Sequence, residues 1–160
     1  MKKIVIFASG SGTNAQNIIQ YFQNNPVAKV VAVFCNKPDA KVLERAKNFH
    51  VNQFVFTKDD LQNKVVLEKL HQFKPDLIVL AGFLLKFPQS IIESYPNTIN
   101  IHPALLPNYG GKGMYGMNVH KAVLENKDTE TGITIHYVNE HYDEGGVISQ
   151  NQVNSEDIQT

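Results

Sequence analysis

Asn100 and His102 are the residues of this chain whose types and spacing most clearly suggest chemistry. They stand in the segment TINIH at 98–102, among β-forming residues. Because residues two apart in a strand project to the same face, the carboxamide and the imidazole would point together where the strand ends. Such a pair can donate hydrogen bonds to an oxyanion and move a proton. It can equally be a buried, hydrogen-bonded structural pair, and the segment alone leaves both interpretations open.

A glycine-rich segment, ASGSGTN at 8–14, is the second candidate. Glycines let the backbone curl, and the N–H groups at a helix N-terminus attract anions. Residues 10–15 also fit the dinucleotide pattern G-x-G-x-x-A. A nicotinamide-binding domain, however, needs an acidic residue at the end of the second strand, and here the residues at 35–37 are Cys-Asn-Lys. The segment therefore favours a phosphate site for a smaller ligand over dinucleotide binding or a ligand-free turn.

An apolar segment, LAGFLLKF at 80–87, follows the fourth predicted strand and leaves the sheet while still strongly hydrophobic. One interpretation is a hydrophobic cluster that caps a helix. The other is the wall of an apolar ligand pocket, lined by Leu84, Leu85 and Phe87.

A polar segment, NEHYDEGG at 139–146, carries Asp143 and turns on two glycines. It is either a solvated turn or a fourth part of the same site. His136 and His141 lie nearby, but their spacing is not that of metal ligands, so we predict no metal site here.

Strands and helices alternate along the chain in a way that predicts how these segments are placed. The predicted strands are 3–8, 29–35, 52–56, 76–82, 98–102, 131–138 and 146–153, and the predicted helices are 15–23, one around 42–46, 61–73, 88–95 and 118–125, with a further helix start at Ser155. The pattern predicts an α/β fold with a doubly wound (Rossmann-like), mostly parallel sheet, helices on both faces and a C-terminal antiparallel hairpin. Ligands bind at the carboxyl ends of the strands in such sheets, and the first three candidate segments lie there.

The length and composition limit the class of protein. A chain of 160 residues with 42% hydrophobic and 19% charged residues is typical of one soluble globular domain. The net charge is zero, so the chain has no basic field for nucleic acid. Arg45 is the only arginine among 15 basic residues, so we expect a phosphate to be held by backbone N–H groups or lysine rather than by arginine forks.

The single cysteine and the apolar runs indicate a compartment. Cys35 is alone, which excludes an intramolecular disulfide, suits a reducing cytoplasm and favours a small buried hydrophobe in a strand. The apolar run at 4–8 is shorter than a signal peptide requires, and no run approaches the ~18 residues of a membrane span. We therefore predict a cytoplasmic protein that does not bind membranes.

Several ordered motifs resemble one enzyme family. NIHPALLP, with SGSGTN upstream and HYDEGG downstream, is similar to the phosphoribosylglycinamide formyltransferases, the folate-dependent enzymes of purine biosynthesis. FCNKPDAKVLERA, KPDLIVLAGF and TGITIHYV extend the resemblance over essentially the whole chain. It implies transfer of a formyl group from the co-substrate 10-formyltetrahydrofolate to the amine of glycinamide ribonucleotide, by a monomer or homodimer and with no metal.

The resemblance also implies roles for individual residues. The implied catalytic residues are Asn100, His102 and Asp143. The residues implied to hold the ribonucleotide phosphate are Gly12, Thr13 and Asn14. The implied folate-binding residues are Lys58, Leu84, Leu85, Lys86, Phe87, Asn100, Asn139, Glu140, His141, Tyr142 and Asp143. In this scheme protonated His102 and the Asn100 amide stabilise the tetrahedral oxyanion, and the Asp143 carboxylate favours the charged imidazole.

The chain departs from the family pattern in four places. Lys58 and Leu85 stand where the family often has arginine, and the loop containing 110–117 is longer than usual. The family pattern also continues past position 160 with a helix over the ribonucleotide site. We therefore expect 1–160 to form a single formyltransferase domain without that helix, and to bind the ribonucleotide more weakly if the chain is complete.

Other functions share some of these features. A methionyl-tRNA formyltransferase should add a basic C-terminal domain, and a formyltetrahydrofolate hydrolase an N-terminal regulatory domain; we expect neither here. A non-catalytic nucleotide-binding module is the alternative from a different class, and the set of Asn100, His102 and Asp143 argues against it.

Overall fold

The computed structural model describes residues 1–102, 130–138 and 147–154. Five helices and seven strands lie in these ranges. The chain divides into two compact units, Met1–Thr98 and Ile99–Thr160. None of the helices in the described ranges is long and apolar enough to cross a bilayer.

The first unit is built on a parallel sheet. Its strands are β1 (Lys2–Ala8), β2 (Ala28–Cys35), β3 (Asn52–Val55) and β4 (Leu77–Ala81). They lie in the order β3-β2-β1-β4, and every pairing in this series is parallel. Residues 4–8 of β1 are all buried, as expected for a parallel strand that is covered on both faces.

Five helices connect and cover these strands. They are α1 (Thr13–Asn24), α2 (Lys41–Asn48), α3 (Lys58–Gln62), α4 (Val65–Phe73) and α5 (Gln89–Ser94). The chain runs outward from β1 through β2 to β3 and then returns to the other side of β1 to form β4. With right-handed crossovers, this reversal places the two sets of connecting helices on opposite faces. It also makes the carboxyl ends of β1 and β4 the point where ligands bind in such folds.

One prediction in this unit is wrong: the single helix at 61–73 is two helices, α3 and α4. Helix α3 begins earlier because Thr57 and Asp60 form a capping box, each side chain accepting a hydrogen bond from the other's backbone N–H. The helix ends at Asn63, whose backbone is extended, and the Asn63 side chain accepts a hydrogen bond from the Val65 N–H at 2.9 Å. The hydrophobic spacing continued across this break and concealed it.

The other predicted strands and helices in the described ranges are confirmed to within two residues at each boundary. The predicted helix at 118–125, the 110–117 loop and the helix start at Ser155 lie outside the described residues. Cys35 is fully buried in β2, as predicted, and its burial raises the pKa of the thiol.

The core of the first unit is aromatic near the end of β1. The ring of Phe7 lies 5.0 Å from Phe34 and 5.0 Å from Phe87, measured between ring centroids. It also lies 5.8 Å from Phe56 and 5.4 Å from Phe83. Such pairs contribute about 0.5–1.5 kcal/mol each beyond their buried area. Because two of the rings belong to the segment after β4, this cluster anchors that segment to the sheet.

The second unit is antiparallel. Strand β5 (Thr98–His102) begins at the last residue of the first unit and pairs with β6 (Glu130–Tyr137), which pairs with β7 (Val147–Asn154). The predicted fold class is therefore confirmed, with a parallel α/β portion followed by an antiparallel hairpin. The turn of that hairpin lies outside the described residues.

Candidate active site

Helix α1 presents an uncapped N-terminus directly after the glycine-rich segment. Its N-cap is Gly12, so no side chain caps the helix, and the first turn contains no acidic residue. The first turn is closed by the Gln16 N–H, which donates to the Gly12 carbonyl at 2.8 Å. The N–H groups of Thr13 and Asn14 come too early to have an acceptor within the helix. Together with the helix dipole, they make this end suitable for an anion.

Gly12 is required here for two reasons. Its backbone is left-handed, with φ at 76° and ψ at 25°, a conformation that L side chains rarely adopt. A Cβ atom at this position would also lie 2.4 Å from Val42 Cγ2 and 2.8 Å from the Val42 Cα. The predicted phosphate segment therefore lies in direct contact with helix α2.

Ser9 joins the end of β1 to two neighbouring strand ends. The side chain is 2% exposed, donates to Asn36 Oδ1 at 2.6 Å and accepts a hydrogen bond from the Leu84 N–H at 3.0 Å. The Ser9 N–H donates to the Gly82 carbonyl at 3.1 Å. The structure thus brings the start of the glycine-rich segment against the segment after β4.

We expect Ser9→Ala to increase the local opening of the segment after β4. The variant leaves the half-buried Leu84 N–H without its acceptor, and the cost of an unsatisfied buried donor, about 1–3 kcal/mol, is the upper limit of the effect. Hydrogen exchange of the Leu84 amide, followed by NMR, should accelerate strongly. Thr98→Val is the matched control, because it also removes a buried hydroxyl, which donates to the Tyr95 carbonyl at 2.7 Å. Unchanged protection of the Leu84 amide in Ser9→Ala would contradict this role.

The segment after β4 contains four of the predicted folate-binding residues. Leu84 and Leu85 are half-buried, Lys86 is exposed, and Phe87 is 3% exposed, with its ring packed on Phe7. The two leucines are therefore the apolar side chains of this group with surface still available to a ligand, while Phe87 fixes the segment from the core side. Lys58, another predicted contact, is exposed at the first position of α3.

Asn100 lies on β5 opposite His136 of β6. The two side chains meet, with 3.1 Å between Asn100 Nδ2 and His136 Nε2, and His136 Nδ1 lies 3.0 Å from the Tyr137 carbonyl oxygen. Because a carbonyl can only accept, Nδ1 carries the proton; in the neutral ring Nε2 then accepts from the Asn100 amide. His136 is 2% exposed, so this orientation is held in a buried position.

The side chains of the remaining predicted site residues lie outside the described set. His102 lies on β5 two residues after Asn100, at the register position opposite Thr134, but its side chain is outside the described set. Asp143 and the predicted folate contacts Asn139, Glu140, His141 and Tyr142 lie outside the described residues. Among the side chains that are described, no group of three or more His, Cys, Asp or Glu is placed to hold a metal ion.

Sequence reasoning missed three residues that shape these segments: Ser9, Arg45 and His136. Ser9 and Arg45 act through contacts with residues 27 to 75 positions away, which no local pattern reveals. His136 was considered only as a metal ligand. The alternating pattern of its strand was a usable signal, since a histidine in a half-buried strand needs a polar partner.

A protein-family model described as formyl transferase matches residues 2–158 of the chain. The chain belongs to the formyl transferase family. A formyl transferase from Bacillus subtilis, named phosphoribosylglycinamide formyltransferase, is 35% identical over 167 residues, and the alignment covers 100% of this chain and 83% of the relative. The chloroplastic enzyme of the same name from Arabidopsis thaliana is 39% identical over 160 residues, which is 95% of this chain and 55% of that protein. The chain thus spans about half the length of the plant relatives.

Solved structures of formyl transferases have the same fold. The crystal structure of glycinamide ribonucleotide transformylase 1 from Geobacillus kaustophilus matches with a TM-score of 0.85 and 37% identity, covering 96% of this chain and 83% of that one. The corresponding structure from Symbiobacterium toebii matches with a TM-score of 0.86 and 29% identity, covering 96% and 74%. These matches support the predicted resemblance over nearly the whole chain.

Proposed function

We propose that this formyl transferase moves the formyl group of 10-formyltetrahydrofolate to the amine of glycinamide ribonucleotide, a step of purine biosynthesis. The observation that carries the proposal is the arrangement at the ends of β1 and β4. There an uncapped helix N-terminus suited to a phosphate and a half-buried leucine pair suited to a flat ring are joined through Ser9. Relatives named for this activity align over 94–100% of the chain.

The ribonucleotide phosphate is proposed to bind at Gly12, Thr13 and Asn14. Backbone N–H groups there donate to the phosphate oxygens, and the helix dipole adds a partial positive charge. Fixing the phosphate delivers the amine at the other end of the substrate in a constant position. Such positioning turns a bimolecular attack into one within a single complex.

The folate is proposed to lie along the segment after β4. Leu84 and Leu85 offer apolar surface to the ring system, and Phe87 holds the segment from beneath. Lys58 and Lys86 are exposed cations that can attract the folate carboxylates. Residues 139–143 are proposed to complete the folate site.

The chemical step is proposed to use Asn100, His102 and Asp143. Attack of the amine on the formyl carbon forms a tetrahedral intermediate with a negative oxygen, which the Asn100 amide and protonated His102 stabilise. His102 then donates a proton to the departing folate nitrogen, and Asp143 takes up the proton of the attacking amine through water. No step requires a metal ion. We propose that the protein acts in the cytoplasm as a monomer or homodimer.

One assay distinguishes this function from its alternatives. The protein is mixed with 10-formyltetrahydrofolate, and release of tetrahydrofolate is followed with and without glycinamide ribonucleotide. We expect release only when the ribonucleotide is present, with formylated ribonucleotide as the second product. Release without an acceptor would identify a hydrolase, release only with methionyl-tRNA a tRNA formyltransferase, and ribonucleotide binding without turnover a non-catalytic module.

A further inference from the structure

Arg45, the only arginine of the chain, makes two hydrogen bonds beneath the glycine-rich segment. From helix α2 its Nε donates to the Ser11 carbonyl oxygen at 2.6 Å. Its Nη1 donates to the side-chain oxygen of Gln16, in the first turns of α1. One guanidinium therefore links α2 both to the glycine-rich segment and to the helix that follows it.

Helix α2 holds the same segment through its backbone as well. The Val42 N–H donates to the Gly10 carbonyl at 3.1 Å, and the Val42 side chain fills the space beside Gly12. Two consecutive carbonyls, those of Gly10 and Ser11, are thus directed toward α2. The sequence predicted that backbone N–H groups or lysine hold the phosphate, but it did not predict how the N–H groups are oriented.

The orientation follows from the planarity of the peptide bond. In a trans peptide, the C=O of one residue and the N–H of the next point in opposite directions. When Arg45 holds the Ser11 carbonyl toward α2, the Gly12 N–H must point away from α2. The bond from Val42 to the Gly10 carbonyl turns the Ser11 N–H away from α2 in the same manner. Two donors are thereby directed to the side opposite α2.

The charge of Arg45 also favours an anion on the side of the glycine-rich segment opposite α2. Within residues 1–102, 130–138 and 147–154, the two hydrogen-bond partners of Arg45 are uncharged, so neither of them neutralises the guanidinium. A positive charge behind the segment adds to the potential of the α1 N-terminus and favours an anion there. Lysine would keep the charge but could not reproduce the planar fork that reaches two acceptors at once.

We infer that Arg45 is a positioning residue for the ribonucleotide phosphate: it directs the Gly12 N–H toward the phosphate and supplies charge without contacting the substrate. The inference rests on the proposed function. It assigns the phosphate affinity partly to α2, whereas the residues predicted to hold the phosphate all lie at 12–14.

Two substitutions separate the geometric contribution of Arg45 from its charge. Arg45→Met should raise the Kd for glycinamide ribonucleotide on the order of 10-fold, and Arg45→Lys by an intermediate factor. The difference between these two variants should shrink at high salt, because salt screens a partly exposed charge. The KM for formyl-folate and the kcat at saturating ribonucleotide should stay within about twofold, since neither depends on the affinity for phosphate.

Lys47→Met is the matched control, because it removes an exposed cation from the same helix. It should leave the ribonucleotide Kd unchanged, and urea unfolding of all variants reports any general loss of stability. An unchanged Kd in Arg45→Met, or an equal loss in Lys47→Met, would overturn the inference. So would a parallel rise in both KM values.

Binding of ribose 5-phosphate distinguishes this inference from the proposed function, because it needs no turnover. Wild-type protein that binds the probe, with Arg45→Met binding it more weakly, supports the inference even if formyl transfer is absent. Wild-type protein that binds neither ribose 5-phosphate nor the ribonucleotide overturns both. Normal formyl transfer with unchanged binding in Arg45→Met overturns the inference alone.

Discussion

Replacing His102 with alanine should lower kcat by roughly 10²–10⁴-fold while the Kd for glycinamide ribonucleotide stays within about twofold. The imidazole is proposed to stabilise the oxyanion and to protonate the leaving nitrogen, and both effects are felt only in the chemical step. Ribonucleotide affinity is proposed to reside in the glycine-rich segment and in Arg45 behind it, and this change touches neither. Single-turnover measurement of folate release, together with equilibrium titration of the ribonucleotide, gives the two numbers separately.

His71→Ala is the control for this experiment. His71 is exposed on α4 and bonds to the Tyr95 hydroxyl at 2.8 Å between Nδ1 and Oη, and no catalytic role is proposed for it. Its loss should leave turnover nearly unchanged. Near-normal turnover in His102→Ala would reject the proposed mechanism, whereas an equal drop in both variants would point to a general effect on the fold.

Gly12→Ala should disable ribonucleotide binding and lower the free energy of unfolding by roughly 2–5 kcal/mol. An alanine in the left-handed region costs about 1–2 kcal/mol. Overpacking against Val42 adds about 1–3 kcal/mol, because the new Cβ would meet the Val42 backbone as well as its side chain. The only relief is separation of the segment from α2, which moves the N–H groups proposed to hold the phosphate.

Gly10→Ala serves as the control two residues earlier. A Cβ at Gly10 meets no atom within 4 Å, and Gly10 is not among the glycines with positive φ. We expect its unfolding free energy and its ribonucleotide Kd to remain close to wild type. Urea unfolding and ligand titration of the two variants side by side test the prediction, and equal behaviour of the two would refute it.

Patterns in the sequence predicted most of the strands and helices because each depends on neighbours along the chain. Strand β5 was predicted at its observed bounds from a run of β-formers, and α1 was predicted between a glycine turn and the Asn-Asn-Pro sequence at 24–26. The break at Asn63 was missed for a related reason. The apolar spacing of Leu61 and Val65 continues through it, whereas the capping bonds that cause it depend on side-chain geometry.

Contacts between distant segments could not be predicted in this way. The bond between Asn100 and His136 depends on the register of β5 against β6, which the hydrophobic pattern of either strand alone does not fix. The bond from Arg45 to Ser11 depends on where α2 packs over the sheet. The sequence could therefore indicate which segments carry the candidate site, but not which residues hold them in place.

The segment after β4 is anchored so firmly that its backbone cannot easily move to fit a different ligand. Its backbone is fixed at both ends, by the bonds of Ser9 to Gly82 and Leu84 and by the burial of Phe87 against Phe7. A shift of the whole segment would break these hydrogen bonds and the aromatic packing together. Side-chain exchange at residues 84–86 leaves both intact. Selection for a different flat ligand would therefore replace side chains at those three positions before it changed the backbone conformation of the segment.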